Sequence, residues 1–192
     1  MRILRVDVER LDLTLIEPYT IAYETVSTID NLLVRIVTEG PHVGLGIAAP
    51  DVGVTGELCA DTERALVRFG DELIGRDPLR RIAITEDAET SLAAYPSARA
   101  AIDQALIDLL GKVAGMPVWQ MLGGYRVSMP TSATVFLCPP SEGVERALAF
   151  LGKGFRLLKI KGGDNVDVDI ERLHRIREAV GPHVPLLFDA NQ

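Results

Sequence analysis

The chain has 192 residues, of which 47% are hydrophobic and 24% are charged, a composition typical of an ordinary globular protein with one large or two small cores. Its 20 basic and 27 acidic residues give a net charge of -7, and the absence of any basic run argues against nucleic acid as a partner. The N-terminus carries a charge every two or three residues and no segment is long and apolar enough for a signal peptide or a bilayer span, so we expect a cytoplasmic protein without a membrane partner.

The first half of the chain has patterns typical of a small antiparallel sheet followed by helices. Apolar and polar residues alternate from Ile3 to Leu15, and strand-like runs follow at residues 32–38 and 43–48. Between the first two strands lies a long connection, Ile16 to Asn31, which we interpret as a functional flap because it exceeds most hairpin loops in length. Apolar stripes at helical spacing over residues 58–74 and 98–113 complete one predicted α+β unit.

After residue 124 the pattern changes to alternating strands and helices. Strands are predicted at residues 131–137, 155–161 and 184–190, with helices between them. Repeats of this length are typical of parallel strand-helix-strand units. A complete eight-stranded barrel takes about 250 residues, and only about 60 remain from residue 129 onwards. We therefore expect the chain to provide the first three strands of a truncated barrel. An open, doubly wound three-stranded sheet is the alternative, and it leaves more apolar surface uncovered.

Polar side chains occupy the carboxyl ends of the last two predicted strands. Lys159 and Lys161 flank an apolar residue and therefore share one face, and Asp189 and Asn191 repeat that spacing. Because parallel strands in a barrel bring their carboxyl ends to the face where chemistry takes place, we expect two ammonium groups to face a carboxylate and an amide. An alternative interpretation of the glycine turn that follows Lys161 is a phosphate cradle at a helix start.

Taken together, several motifs resemble the enolase superfamily, specifically its muconate-lactonizing-enzyme subgroup and, within that, the dipeptide epimerases typified by L-Ala-D/L-Glu epimerase. The likeness runs nearly end to end and is carried by the run Ser97 to Lys112, Leu122-Gly123-Gly124, Lys159-Ile160-Lys161 and Asp189-Ala190-Asn191-Gln192. Pro50, the run Val54-Thr55-Gly56-Glu57 and the pair Thr134-Val135 point to the dipeptide epimerases.

This resemblance implies an α+β capping domain over residues 1–128. Over residues 129–192 it implies strands 1 to 3 of an incomplete (β/α)7β TIM-like barrel, an α/β structure. The cofactor it implies is Mg²⁺, bound by carboxylates that end the third, fourth and fifth strands, with Asp189 as the first ligand.

Roles for four further residues follow from the same resemblance. Lys161 is the implied acid/base, and Lys159 is the neighbour that helps to hold the substrate carboxylate. Thr134 is an implied pocket residue, and Asn191 is a polar partner behind the metal ligand. Relatives that prefer anionic dipeptides place a basic residue near the position of Glu24, so an acid there implies contact with a neutral or cationic dipeptide. The other metal ligands and the opposing lysine lie beyond Gln192.

The chemistry explains why these residue types are needed. An α-proton beside a carboxylate is very weakly acidic, so its removal requires a base and a cation that holds the charge of the enediolate. A second lysine on the opposite face then returns the proton, which inverts the centre. The expected function is Mg²⁺-dependent dipeptide epimerisation, an isomerase activity on a small-molecule carboxylate substrate.

Other functions stay open on the sequence. Muconate cycloisomerase, o-succinylbenzoate synthase and N-acylamino-acid racemase are sister chemistries, and a non-catalytic remnant or interaction module is a different class of function. We expect the 192-residue chain to be inactive in isolation and the full-length protein to form a homo-oligomer.

Overall fold

The structure is a computed structural model that describes residues 1–21 and 24–190. The chain divides into two compact units. The first consists of Met1–Thr14 and Ile29–Tyr125, and the second consists of Leu15–Thr28 and the chain from Arg126 onwards. No helix in the described part of the chain is long and apolar enough to cross a membrane.

The N-terminal sheet contains three strands in the order β1-β2-β3: β1 (Ile3–Ile21), β2 (Glu24–Thr38) and β3 (Val43–Ala48). Strands β2 and β3 pair antiparallel, from Leu32 opposite Ala48 to Val37 opposite Val43. All three predicted strands are confirmed. The interpretation of residues 16–31 as a loop is wrong, because most of that segment extends β1 and β2 and is rich in β-branched residues, which favour strands.

Four helices follow in the first unit: α1 (Cys59–Leu73), α2 (Arg81–Ser91), α3 (Pro96–Ala114) and α4 (Val118–Met121). The predicted stripes correspond to α1 and α3, and α3 ends at Gly115 in the left-handed conformation. Helix α2 was not predicted because only Ile84 and Ala88 face the core. The core of this unit is formed by the buried faces of β2, α1 and α3.

The backbone of strand β3 packs directly against the backbone of α3. A Cβ atom added to Gly44 would come within 2.2 Å of the Ala105 carbonyl oxygen, and one added to Gly46 within 1.9 Å of the Ala101 carbonyl oxygen. Glycine at both positions therefore permits the close packing of strand and helix.

A buried carboxylate joins the start of α1 to the start of α3. Glu57 is 2% exposed and accepts hydrogen bonds from the Ser97 backbone N–H (3.1 and 3.2 Å) and from the Ser97 hydroxyl (2.7 Å). The first backbone N–H groups of a helix have no partner within the helix, and the helix dipole favours a negative charge there. Glu57, which lies two residues before α1, thus caps α3.

The second unit contains a parallel sheet in the order β4-β5-β6 and two crossover helices. The elements are β4 (Ala133–Val135), α5 (Pro140–Gly152), β5 (Leu158–Lys161), α6 (Val166–Val180) and β6 (Leu186–Asp189). The predicted alternation is confirmed, with strands shorter than expected. Helices α5 and α6 pack against each other and over the same apolar cluster of strand residues, so both crossovers cover one face of the sheet.

Candidate active site

Two lysines and an aspartate meet at the carboxyl ends of β5 and β6. In the parallel register Lys161 lies opposite Asp189, and Lys159 lies opposite Leu187 and Thr134. The Nζ atoms of Lys159 and Lys161 are 2.6 and 2.9 Å from the same Asp189 oxygen, Oδ2. The spacing rule for strands therefore led to the correct juxtaposition.

These three side chains, which we call the strand-end cluster, are half-buried. Lys161 is the most enclosed, with 14% of its side chain exposed, against 33% for Lys159 and 30% for Asp189. Among the described residues, this cluster brings two ammonium groups against one carboxylate. Charge-assisted contacts in a partly desolvated site are stronger than in water, so the cluster is suited to bind a second carboxylate, such as that of a substrate.

A cavity of about 550 Å³ opens at the same edge of the parallel sheet. Its lining comes from the tip of the β1-β2 hairpin, the segment after β4, the turn after β5 and the first turns of α6. These residues are Thr20, Ile21, Glu24, Thr25, Leu137, Cys138, Pro139, Asp164, Asn165, Val168, Asp169 and Arg172.

The hairpin tip is held against the segment after β4. The Leu137 backbone N–H donates to the Thr20 carbonyl at 3.0 Å, and the Tyr19 ring stacks on Phe136 with centroids 4.2 Å apart. Arg146 on α5 forms ion pairs with Glu142 and with Glu17 of the hairpin. The segment predicted as a flap is thus a strand hairpin. A hydrogen bond, a ring stack and an ion pair hold its tip to the rest of the second unit.

The two glycines in the turn between β5 and α6 already use their backbone donors. The N–H of Gly162 donates to the Asp189 carbonyl (3.0 Å), and the N–H of Gly163 donates to Asp169 Oδ2 (2.8 Å). The Asn165 side chain accepts from the first N–H groups of α6. Since these donors have partners within the protein, the phosphate-cradle interpretation is not supported.

Sequence analysis missed the buried ion pair of Asp169 and Arg172 on α6. Both side chains are nearly inaccessible, with 8% and 2% exposed. Charged residues on a helix are ordinarily assigned to its solvent face. The available signal was spacing, because both residues lie on the stripe that carries Ile176, the buried apolar residue of α6.

The remaining predicted residues lie at different distances from the strand-end cluster. Thr134 is half-buried on β4, beside Lys159 in register. Glu24 is exposed and lines the cavity, whose described lining contains neither lysine of the cluster. Asn191 lies outside the described residues. The roles assigned to all these residues stay predictions.

The donor chemistry of Asp189 fits Mg²⁺ as one ligand among several. A carboxylate is a hard oxygen donor, and Mg²⁺ is commonly held by one or two carboxylates with waters and substrate oxygens completing its coordination. Within residues 1–21 and 24–190, no group of three or more His, Cys, Asp or Glu side chains is placed to hold a metal ion. Asp189 is therefore a candidate ligand and not a complete site.

Cysteine chemistry is not indicated at the cavity. Burial, reinforced by the nearby charge of Glu142, raises the pKa of the Cys138 thiol above its ordinary value. The group therefore remains a neutral thiol at neutral pH, whereas a nucleophile or metal ligand requires the thiolate.

Two family profiles match the chain. Residues 5–123 match the family described as mandelate racemase / muconate lactonizing enzyme, N-terminal domain, and residues 142–192 match the enolase C-terminal domain-like family. An L-Lys-D/L-Arg epimerase of Desulforapulum autotrophicum is 39% identical over 193 residues, which cover 100% of this chain and 54% of that protein.

Solved structures of dipeptide epimerases have the same fold. The Enterococcus faecalis V583 enzyme, complexed with Mg and the dipeptide L-Leu-L-Tyr, matches with a TM-score of 0.96 and 38% identity, covering 100% of this chain and 54% of that one. The Methylococcus capsulatus enzyme, complexed with Mg and L-Arg-D-Lys, matches with a TM-score of 0.95 and 37% identity, covering 100% and 55%. The chain thus spans about half the length of these relatives.

The fold of the N-terminal part is that of the capping domain of the enolase superfamily. The chain belongs to the mandelate racemase / muconate lactonizing enzyme family. The resemblance to dipeptide epimerases is confirmed by these relatives.

Proposed function

We propose that this chain is the N-terminal part of a Mg²⁺-dependent dipeptide epimerase. The observation that carries the proposal is the strand-end cluster, in which Lys159 and Lys161 approach one oxygen of Asp189 at the carboxyl ends of adjacent parallel strands. Residues 1–128 form the capping domain in this proposal, and the chain from residue 129 begins a (β/α)7β barrel.

The arrangement of the second unit supports the barrel. Its strands follow one another in sequence order, and both crossover helices cover one face. A doubly wound sheet places helices on both faces, whereas a barrel keeps them all outside. Thr134, Lys159 and Asp189 then share the face opposite the helices.

Each residue of the cluster has a distinct proposed task. Lys161, the more enclosed lysine, exchanges a proton with the substrate α-carbon through Nζ. Lys159 and Thr134 hold the substrate carboxylate on the same face, and Asn191 supports Asp189. Mg²⁺, with Asp189 among its ligands, supplies positive charge beside the substrate carboxylate when bound.

A dipeptide with a neutral or cationic side chain is the proposed substrate. Glu24 lines the cavity, and Asp164 adds a second carboxylate to its exposed lining. Relatives of similar identity bind L-Leu-L-Tyr or L-Arg-D-Lys, so identity alone does not choose between these classes.

The test uses the complete gene product with Mg²⁺ and a library of dipeptides in D₂O. We expect deuterium to enter the α-position of one residue as its configuration inverts. NMR measures the deuterium incorporation, and chiral chromatography measures the inversion. Replacement Lys161→Ala should lower kcat by roughly 10³-fold, because general acid–base groups contribute about 10² to 10⁴. Lys153→Ala, at the exposed lysine that directly follows α5, is the matched control and should retain full activity.

Two outcomes would contradict the proposal. One is a folded complete protein that exchanges no α-proton in any dipeptide. The other is a Lys161→Ala variant as active as the control. Activity on an N-acylamino acid or a muconate in place of dipeptides would keep the family and replace the substrate class.

A further inference from the structure

The buried pair Asp169 and Arg172 contacts the backbone that carries the strand-end cluster. One Arg172 nitrogen, NH1, donates to the Cys138 carbonyl after β4 at 2.9 Å. The other, NH2, donates to the Lys161 carbonyl at 2.8 Å and also pairs with Asp169. A single guanidinium thus joins the carboxyl-terminal segments of two neighbouring strands.

Asp169 binds the backbone on the other side of Gly162. Its Oδ2 accepts the Gly163 N–H, so the ion pair fixes the carbonyl of Lys161 and the amide two residues later. Between them, the Gly162 N–H donates to the Asp189 carbonyl. Three consecutive residues at the end of β5 are therefore held by three different partners.

The surrounding sequence leaves room for this pair. A Cβ atom added to Gly162 would lie 2.6 Å from Asp169 Oδ2, and one added to Gly143 on α5 would lie 3.1 Å from Arg172 Cγ and Cδ. A side chain at Gly162 would overlap the carboxylate, and one at Gly143 would press on the Arg172 stem. Both side chains also line the cavity, where their opposite charges pair with each other.

We infer that Arg172 and Asp169 are positioning residues, which fix the direction in which Lys161 leaves the end of β5. The inference rests on the proposed role of Lys161 in proton transfer. Misplacement of a reacting group by about 1 Å costs roughly 100-fold in rate, so the backbone that carries such a group needs rigid support.

The test compares two arginines of α6 in the complete gene product. Arg172→Ala should lower kcat by roughly 100-fold and leave KM within about threefold, because the substrate contacts remain while the base is misplaced. Arg175→Ala removes an exposed ion pair with Glu171 on the same helix and should change neither constant. Guanidinium added to Arg172→Ala should restore part of the lost kcat, because Arg172 lines the cavity and the ion can enter from it.

A second variant keeps the test valid if Arg172→Ala misfolds. A second readout keeps it valid if the proposed function is wrong. Gly143→Ala keeps every charge and displaces the Arg172 stem, and should lower kcat several-fold while the far-ultraviolet circular dichroism is unchanged. Amide exchange at Gly163 should accelerate at least about tenfold in Asp169→Asn, whether or not a substrate is known, because an amide is a weaker acceptor than a carboxylate.

The outcomes separate the two claims. Full kcat in folded Arg172→Ala, or a loss of kcat equal to the unfolded fraction, overturns the positioning role and leaves the proposed function intact. A wild-type protein without epimerase activity overturns the proposed function, and the Gly163 exchange then decides the positioning of the turn by itself.

Discussion

Glu24 and Asp164 are the exposed carboxylates of the cavity, and neither has an ion pair among the described residues. The other charged side chains of the lining, Asp169 and Arg172, neutralise each other. The cavity therefore has an excess negative charge, which favours a cationic group and disfavours an anionic one.

Reversing that charge should reverse the preference among substrates. We expect Glu24→Arg to raise the ratio of kcat/KM for L-Ala-L-Glu over L-Ala-L-Lys by roughly tenfold, since a contact of about 1.4 kcal/mol corresponds to that factor. Competition assays with both dipeptides measure the ratio. Glu145→Arg, at an exposed position of α5 outside the cavity lining, is the control for net charge. Equal ratios in the two variants would exclude Glu24 from selectivity.

The spacing of residues along the strands was enough to predict the strand-end cluster. The buried ion pair of Asp169 and Arg172 on the neighbouring helix α6 could not be predicted in this way. The meeting of Lys159, Lys161 and Asp189 follows from the alternation of side chains and from the common direction of parallel strands. No local rule states that Asp169 and Arg172 turn inward, because that depends on backbone carbonyls contributed by β4 and β5.

Elements in the first unit are joined by the Glu57 cap of α3. Removal of this carboxylate in Glu57→Ala would leave the Ser97 N–H and hydroxyl buried without their partner. We expect the free energy of unfolding to fall by about 2 to 3 kcal/mol, the usual cost of losing buried hydrogen bonds to a charged group. Urea unfolding followed by circular dichroism measures the change.

The control for that prediction is Glu86→Ala, at an exposed acid on α2, which should change stability by less than about 0.5 kcal/mol. Glu57→Gln should fall between the two, because the amide oxygen accepts a weaker bond. If Glu57→Ala and Glu86→Ala unfold at the same urea concentration, the cap contributes nothing to stability.

Elements with strong periodicity were predictable and those held by tertiary contacts were not. The stripes of α1 and α3 and the repeats of the second unit carry the pattern of the face they bury. Helix α2 buries two residues, and α4 is a single turn of four residues with no buried side chain. The extension of β1 and β2 depends on partners that are distant along the chain, such as Phe136, which lies 117 residues after Tyr19.

At the scale of the molecule, β6 exposes apolar side chains on both of its faces. Leu187 and Phe188 are 49% and 47% exposed, on a strand with one hydrogen-bonded neighbour, β5, in the described sheet. Unpaired strand edges with apolar side chains associate with other chains.

A polypeptide of these 192 residues should therefore self-associate and lack epimerase activity, while the complete gene product should give a single defined species. Size-exclusion chromatography with light scattering measures both, at matched concentrations. A monodisperse, active 192-residue polypeptide would contradict the expectation and would favour a functional unit of this length.

The hairpin of β1 and β2 contributes residues to both compact units, so the chain passes between them more than once. Its tip, Leu15–Thr28, provides Thr20 and Glu24 to a cavity whose other walls come from residues 137 to 172. In a recombinant protein that joined two relatives near residue 128, the hairpin tip would come from one parent. The rest of the cavity lining would come from the other. The lining of this cavity is encoded by two distant stretches of the gene, and we expect a crossover between them to alter selectivity without changing a single residue of the strand-end cluster.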